Sequence, residues 1–98
     1  MDYRKYNTLR IDFYKNVINL LNDSDLEVLR RLFDRIWKKG SYYCNNFNNK
    51  TIIEAGANII YNDLKDAGII TQIGEDCYTI SQGYVELIVD KLGLLENK

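Results

Sequence analysis

The 98-residue sequence has no histidine, no proline and only two cysteines. Without imidazole there is no histidine general base, no Ser–His or Cys–His nucleophile pair, and no zinc site that uses His. Cys44 and Cys77 alone do not close a tetrahedral zinc site, and two distant cysteines do not make a disulfide framework. Reduced, intracellular thiols are the expectation. No apolar run approaches the roughly 20 residues of a membrane span. Met1-Asp2-Tyr3-Arg4-Lys5-Tyr6 leads into no signal-peptide apolar core. A cytoplasmic protein without membrane contact is expected. Charge of either sign is not in excess. Thirteen Lys and Arg stand against fourteen Asp and Glu, for a net charge of −1, so no global basic character announces a nucleic-acid partner.

Catalytic signatures are also missing. The sequence has no phosphate-binding glycine loop and no nucleophile elbow, and its carboxylates are too scattered to nominate an acid–base pair. Neither an enzyme nor a cofactor is expected. Cys44, close to basic residues, is a candidate reactive thiol; the competing reading is a buried structural cysteine.

What is present is globular composition, 46% hydrophobic and 28% charged, in a length that suits one domain over residues 1–98. A first helix is expected over residues 3–21. Tyr6, Phe13, Val17 and Leu20 share one face, and Tyr14, Ile18 and Leu21 widen it. Ser24 and Glu27 form a capping box for a second helix carrying Leu26, Leu29, Leu32, Phe33, Ile36 and Trp37, which closes at Lys38-Lys39-Gly40. Residues 41–47 read either as a short helix capped by Ser41 or as an irregular loop. Thr51 and Glu54 form a second capping box. The stripe Ile53, Ala57, Ile60, Leu64 and Ala67 then predicts an amphipathic helix over 51–67, closed by Gly68. Gly56 inside it is either a local cost or a break, with the main helix running from Asn58. Residues 69–73 and 77–80 are β-branched and aromatic, with Gly74-Glu75-Asp76 between them, and predict a hairpin. Its expected contacts with the helices are Ile70, Ile73, Tyr78 and Ile80. Ser81 is the expected cap of a final helix ending at Gly93. The fold class is mainly α with a small β-hairpin.

Leu64-Lys65-Asp66-Ala67-Gly68-Ile69-Ile70 followed by Tyr78-Thr79-Ile80-Ser81-Gln82-Gly83 resembles the winged helix-turn-helix superfamily, in particular MarR- and PadR-like regulators and small archaeal and viral winged-helix proteins. The resemblance implies a winged-helix core over 24–92, with residues 1–22 as an extra N-terminal helix. It makes helix 51–67 the recognition helix, placed in a major groove about 12 Å wide. The implied function is sequence-specific binding of double-stranded DNA, as a homodimer, in transcription regulation. On that helix Thr51, Asn58, Asn62 and Lys65 lie on or near the face opposite the core stripe. An Asn amide suits the two hydrogen bonds that adenine offers in the major groove. The bland reading of the same residues is a solvated polar face.

Charge placement refines this. Residues 30–50 carry Arg30, Arg31, Arg35, Lys38, Lys39 and Lys50 against a single carboxylate, Asp34. These cations are the candidate phosphate contacts. The expected wing tip is acidic instead, with Glu75 and Asp76, and Glu54 and Asp63 add negative charge to the recognition helix. The alternative function is therefore a winged-helix protein–protein interaction module, an adaptor or inhibitor, that does not bind DNA. The apolar first helix, with Tyr3, Tyr6, Leu9, Phe13, Tyr14, Val17 and Leu21, suits a dimer contact.

Overall fold

The computed structural model describes residues 12–41 and 43–94. Five helices and two small antiparallel hairpins follow one another along these residues.

Helix α1 covers residues 12–19. It ends in a tightened turn, in which the Leu20 and Leu21 amides donate to Val17 and Ile18, each at 3.1 Å. Its inner side is Ile18, buried, with Tyr14, Leu21 and, as expected, Val17 packed against the core. Phe13 and Leu20, expected on the packed face, point outward at 59% and 84% exposure. The apolar stripe is wider than the core needs, and the flank buries in place of the centre. Tyr3, Tyr6 and Leu9 lie outside the described residues.

Helix α2, Asp23–Ile36, is capped two residues ahead of the expected Ser24–Glu27 box. Asn22 is the cap. Its Oδ1 accepts from the Asp25 amide at 2.8 Å, and Asp25 returns the bond to the Asn22 amide at 3.3 Å. Asn caps as well as Ser does, and Asp25 adds charge of the sign favoured at a helix start. Leu29, Leu32, Phe33 and Ile36 form the buried stripe. The helix stops at Ile36, short of Lys38-Lys39-Gly40, because Trp37 leaves helical geometry (ψ 132°) and begins a strand.

That strand, β1 (Trp37–Lys38), pairs antiparallel with β2 (Tyr43–Cys44), in register Trp37↔Cys44 and Lys38↔Tyr43. The expected choice of short helix or irregular loop over 41–47 is replaced by a strand at Tyr43–Cys44 and a bridge at Phe47 among the described residues. Beyond β2, Phe47 bridges Tyr78, with reciprocal backbone hydrogen bonds of 2.9 and 2.8 Å. The aromatic character of this stretch, with Tyr43 and Phe47, favours extended pairing over a helical turn.

The single helix expected over 51–67 is two helices. α3 spans Asn49–Glu54 and α4 spans Tyr61–Asp66. Asn48, three residues ahead of Thr51, caps α3 and displaces the Thr51–Glu54 box. Its Oδ1 accepts from the Thr51 amide and hydroxyl, both at 3.0 Å. Gly56 then takes φ +75°, and the Gly56 and Ala57 amides bond back to Ile53 and Ile52. This left-handed closure is open to glycine at little cost, and it ends α3. The break resets the helical phase. Ile52 and Ala55 are buried, whereas Ile53, assigned to the core stripe, is 54% exposed. Leu64 and Ala57 bury as expected, and Ile60 and Ala67 are half-buried. α4 closes on Gly68 (φ +78°), whose amide reaches Lys65 while Ile69 reaches Leu64.

The main hairpin pairs β3 (Ile70–Gly74) with β4 (Cys77–Ile80). Ile70 and Ile80 pair and are buried. Ile73 is not a core contact. The register shifts between Gln72 and Gly74, and the bulge turns Ile73 out to 53% exposure. Ser81 precedes helix α5 (Gln82–Leu92), but its hydroxyl makes no cap bond. It donates instead to the Gly68 carbonyl at 2.6 Å and meets Thr71 at 3.0 Å, tying the end of α4 to both strands. Gly93 ends α5 with φ +68°. Tyr84, Val85, Ile88, Val89 and Leu92 complete the core. No helix among the described residues is long and apolar enough to cross a membrane.

Candidate nucleic-acid interface

Two short helices joined by a turn and followed by a β-ribbon present a compact polar surface. α4 exposes Asn62, Asp63, Lys65 and Asp66, while Leu64 anchors it to the core. Asn62 and Lys65 are three residues apart and share a face. Asn58, expected one helical turn from Asn62, sits instead in the turn before α4, where it is exposed. Thr51 is half-buried, its hydroxyl engaged by Asn48.

The basic block does not form one patch. Arg31 and Arg35 lie on the side of α2 that meets α3. Arg31 reaches the turn at Gly56, with Nη1 3.7 Å from where a Cβ would stand. Arg35 and Lys50 share Glu54, at 4.0 and 3.9 Å. Arg30 turns the other way and donates to the Leu92 carbonyl at 3.2 Å, at the end of α5. There it satisfies an orphan helix carbonyl and complements the negative end of the dipole. Lys38 and Lys39 are on the β1–β2 hairpin, Lys38 Nζ lying 5.7 Å from the Tyr43 ring centroid. Glu27 stands 3.9 Å from Arg30 and 3.6 Å from Arg31. These pairs are solvent-exposed and weak, so a phosphate can replace the carboxylate at small cost.

The acidic β3–β4 tip has an internal role that its sequence did not disclose. Asp76 Oδ1 accepts from the Asn49 amide at 2.8 Å, at the first residue of α3. Its backbone is left-handed (φ 53°). Beneath it Tyr78 stacks on Phe47, ring centroids 6.1 Å apart, and meets Tyr61 edge-on at 5.8 Å. Burial, with Tyr61 and the Asp76 carboxylate nearby, pushes the Tyr78 phenol above its ordinary range. Tyr61 is thus a packing residue of the α4 start. Sequence reading had no signal for the Asp76 contact, because residues 49 and 76 are brought together only by the Phe47–Tyr78 bridge.

Burial pushes the Cys44 thiol up from 9.0 to about 12, which makes it a poor nucleophile. Among the described residues no group of Cys, Asp or Glu is arranged to hold a metal ion. No protein-family model, curated protein or solved structure matches this chain.

Proposed function

We propose that the chain is a winged helix-turn-helix protein that binds double-stranded DNA as a homodimer in the cytoplasm and modulates transcription. The observation that carries this reading is the chain order α2, extended Phe47, α3, turn, α4, β3–β4 ribbon, with Phe47 paired to Tyr78 of the ribbon. In this reading α4 enters the major groove in place of the longer helix 51–67. Its six residues span roughly 9 Å at the α-helical rise. Asn62 reads a base edge and Lys65 contacts phosphate, with Asn58 at the groove rim. Arg31, Arg35 and Lys50 beside the turn supply further backbone contacts, and Lys38 and Lys39 extend them. Arg30, tied to Leu92, and Thr51, engaged by Asn48, drop out of the contact set. Phe13 and Leu20, seven residues apart on the outer side of α1, support the dimer contact.

The test is a mobility shift on genomic fragments at increasing salt, with Asn62→Ala and Lys65→Ala beside the unaltered chain. Retardation that weakens steeply with salt, and less steeply for Lys65→Ala, is expected. Absence of any salt-sensitive retardation sinks the reading.

A second reading keeps this architecture and replaces DNA with a protein partner. Ile59 at 82% exposure, in the turn before α4, and Ile73 at 53%, on the ribbon, favour it, as do Asp63, Asp66 and Glu75. Loss of a complex on Ile59→Lys, with DNA never bound, is its signature.

A further inference from the structure

We infer that Asp76 is a positioning residue that latches the β3–β4 tip to the first turn of α3, so that the ribbon and the α3–α4 pair form one rigid unit. Three observations converge on it. The carboxylate bonds the Asn49 amide at 2.8 Å, across 27 residues of sequence. Asp76 adopts φ 53°, the positive-φ region where a side chain is disfavoured, and is the sole non-glycine residue to do so among the described residues. Gly, Asn and Asp are the residues that tolerate such a turn position, and the Asp standing there makes a bond that glycine could not. The Phe47–Tyr78 bridge lies two residues from Asn49 and two from Asp76, so the start of β4 already runs beside the chain entering α3, and the Asp76 bond extends that attachment to the turn itself.

The latch changes the meaning of the acidic tip. Both tip residues are exposed, but one Asp76 carboxylate oxygen is engaged by the Asn49 amide. The Asp76 carboxylate thus has a bond within the chain as well as a charge at the surface. The inference does not depend on what the α4 face binds.

Native-state amide exchange on the full chain tests it, with Asp76→Gly, Asp76→Ala and Asp76→Asn. Glycine suits the backbone and removes the acceptor. Asparagine tolerates the left-handed conformation and keeps a side-chain oxygen. Asp76→Gly and Asp76→Ala are expected to raise exchange at the Asn49 amide by about tenfold, with the Ile88 amide in α5 unchanged. Asp76→Asn is expected to stay within about threefold of the parent, since its neutral carbonyl oxygen still accepts. Equal protection of Asn49 in the parent and Asp76→Gly overturns the inference. So does a parallel rise at Asn49 and Ile88, which would report global opening, and so does Asp76→Asn behaving as Asp76→Gly.

Discussion

Tyr14 of α1 packs edge-on against Tyr84 of α5, ring centroids 4.7 Å apart, and occupies the space that a side chain at Gly83 would fill. A Cβ at Gly83 would stand 2.6 Å from Tyr14 Cζ. The glycine is thus the seat on which α1 docks, inside a helix where glycine otherwise weakens the fold by about 1 kcal/mol relative to alanine.

Gly83→Ala should therefore destabilise the chain by about 1–3 kcal/mol, as overpacked sites do. In a Tyr14→Ala background the sign should reverse, because the clash is gone and only the helix preference remains. Urea unfolding of the two single variants and the double variant closes the cycle.

Tyr84→Phe should cost about 1 kcal/mol. The Tyr84 hydroxyl donates to the Ala67 carbonyl at 2.9 Å, just before Gly68. Its loss leaves that carbonyl without the bond while the ring stays packed. A lowered urea midpoint with an unchanged slope is the expected record.

Gly68→Ala meets no neighbour within 4 Å, so its cost is that of the backbone alone at φ +78°. About 1–2 kcal/mol is expected from the left-handed conformation. Gly68→Asn should cost less, because Asn tolerates that region. Thermal unfolding of both variants ranks them.

Stability should fall in alkali. The unfolded Cys44 thiol ionises near 9.0 and the folded one only near about 12. Burial, then Tyr14 beside it, likewise raises the Tyr84 phenol above 10.0. Between the unfolded and folded values the folded state binds more protons, so these groups give full stability below about pH 9 and lose it as pH climbs toward 12. Urea midpoints at about pH 7 and about pH 10.5 should differ, and Cys44→Ala should reduce the difference. At neutral pH, alkylation of Cys44 should be slower in the folded chain than in urea.

Much of the architecture was legible in the sequence because it rests on local signals. The α2 stripe, the Gly68 reversal, the hairpin with Ile70 and Ile80 turned to the core, and the Gly93 stop each follow from periodicity or turn chemistry. What was hidden depends on competition or on distance. Asn22 and Asn48 outcompeted Ser24 and Thr51 as caps, and both capping assignments were one element-start late. Gly56 was weighed as a cost or a break, and the core chose the break by burying Ile52 and Ala55. The bulge that exposes Ile73 and the pairing of Phe47 with Tyr78 are set by partners far along the chain. Of the candidate contacts, Asn62 and Lys65 share the α4 face as the periodicity required. Asn58 does not, since the break removed it from the helix. Arg30 bonds the Leu92 carbonyl while Arg31 and Arg35 lie toward α3, a division that six cations in one run do not announce.

The glycine break between α3 and α4 has a kinetic corollary. Each fragment has six residues, fewer than the roughly 12–15 at which an isolated helix becomes marginal in water. A synthetic peptide of residues 48–68 should be coil by circular dichroism. The polar face that α4 offers is then an emergent property of the finished globule, acquired late and surrendered early, and no nascent or clipped version of the chain can display it.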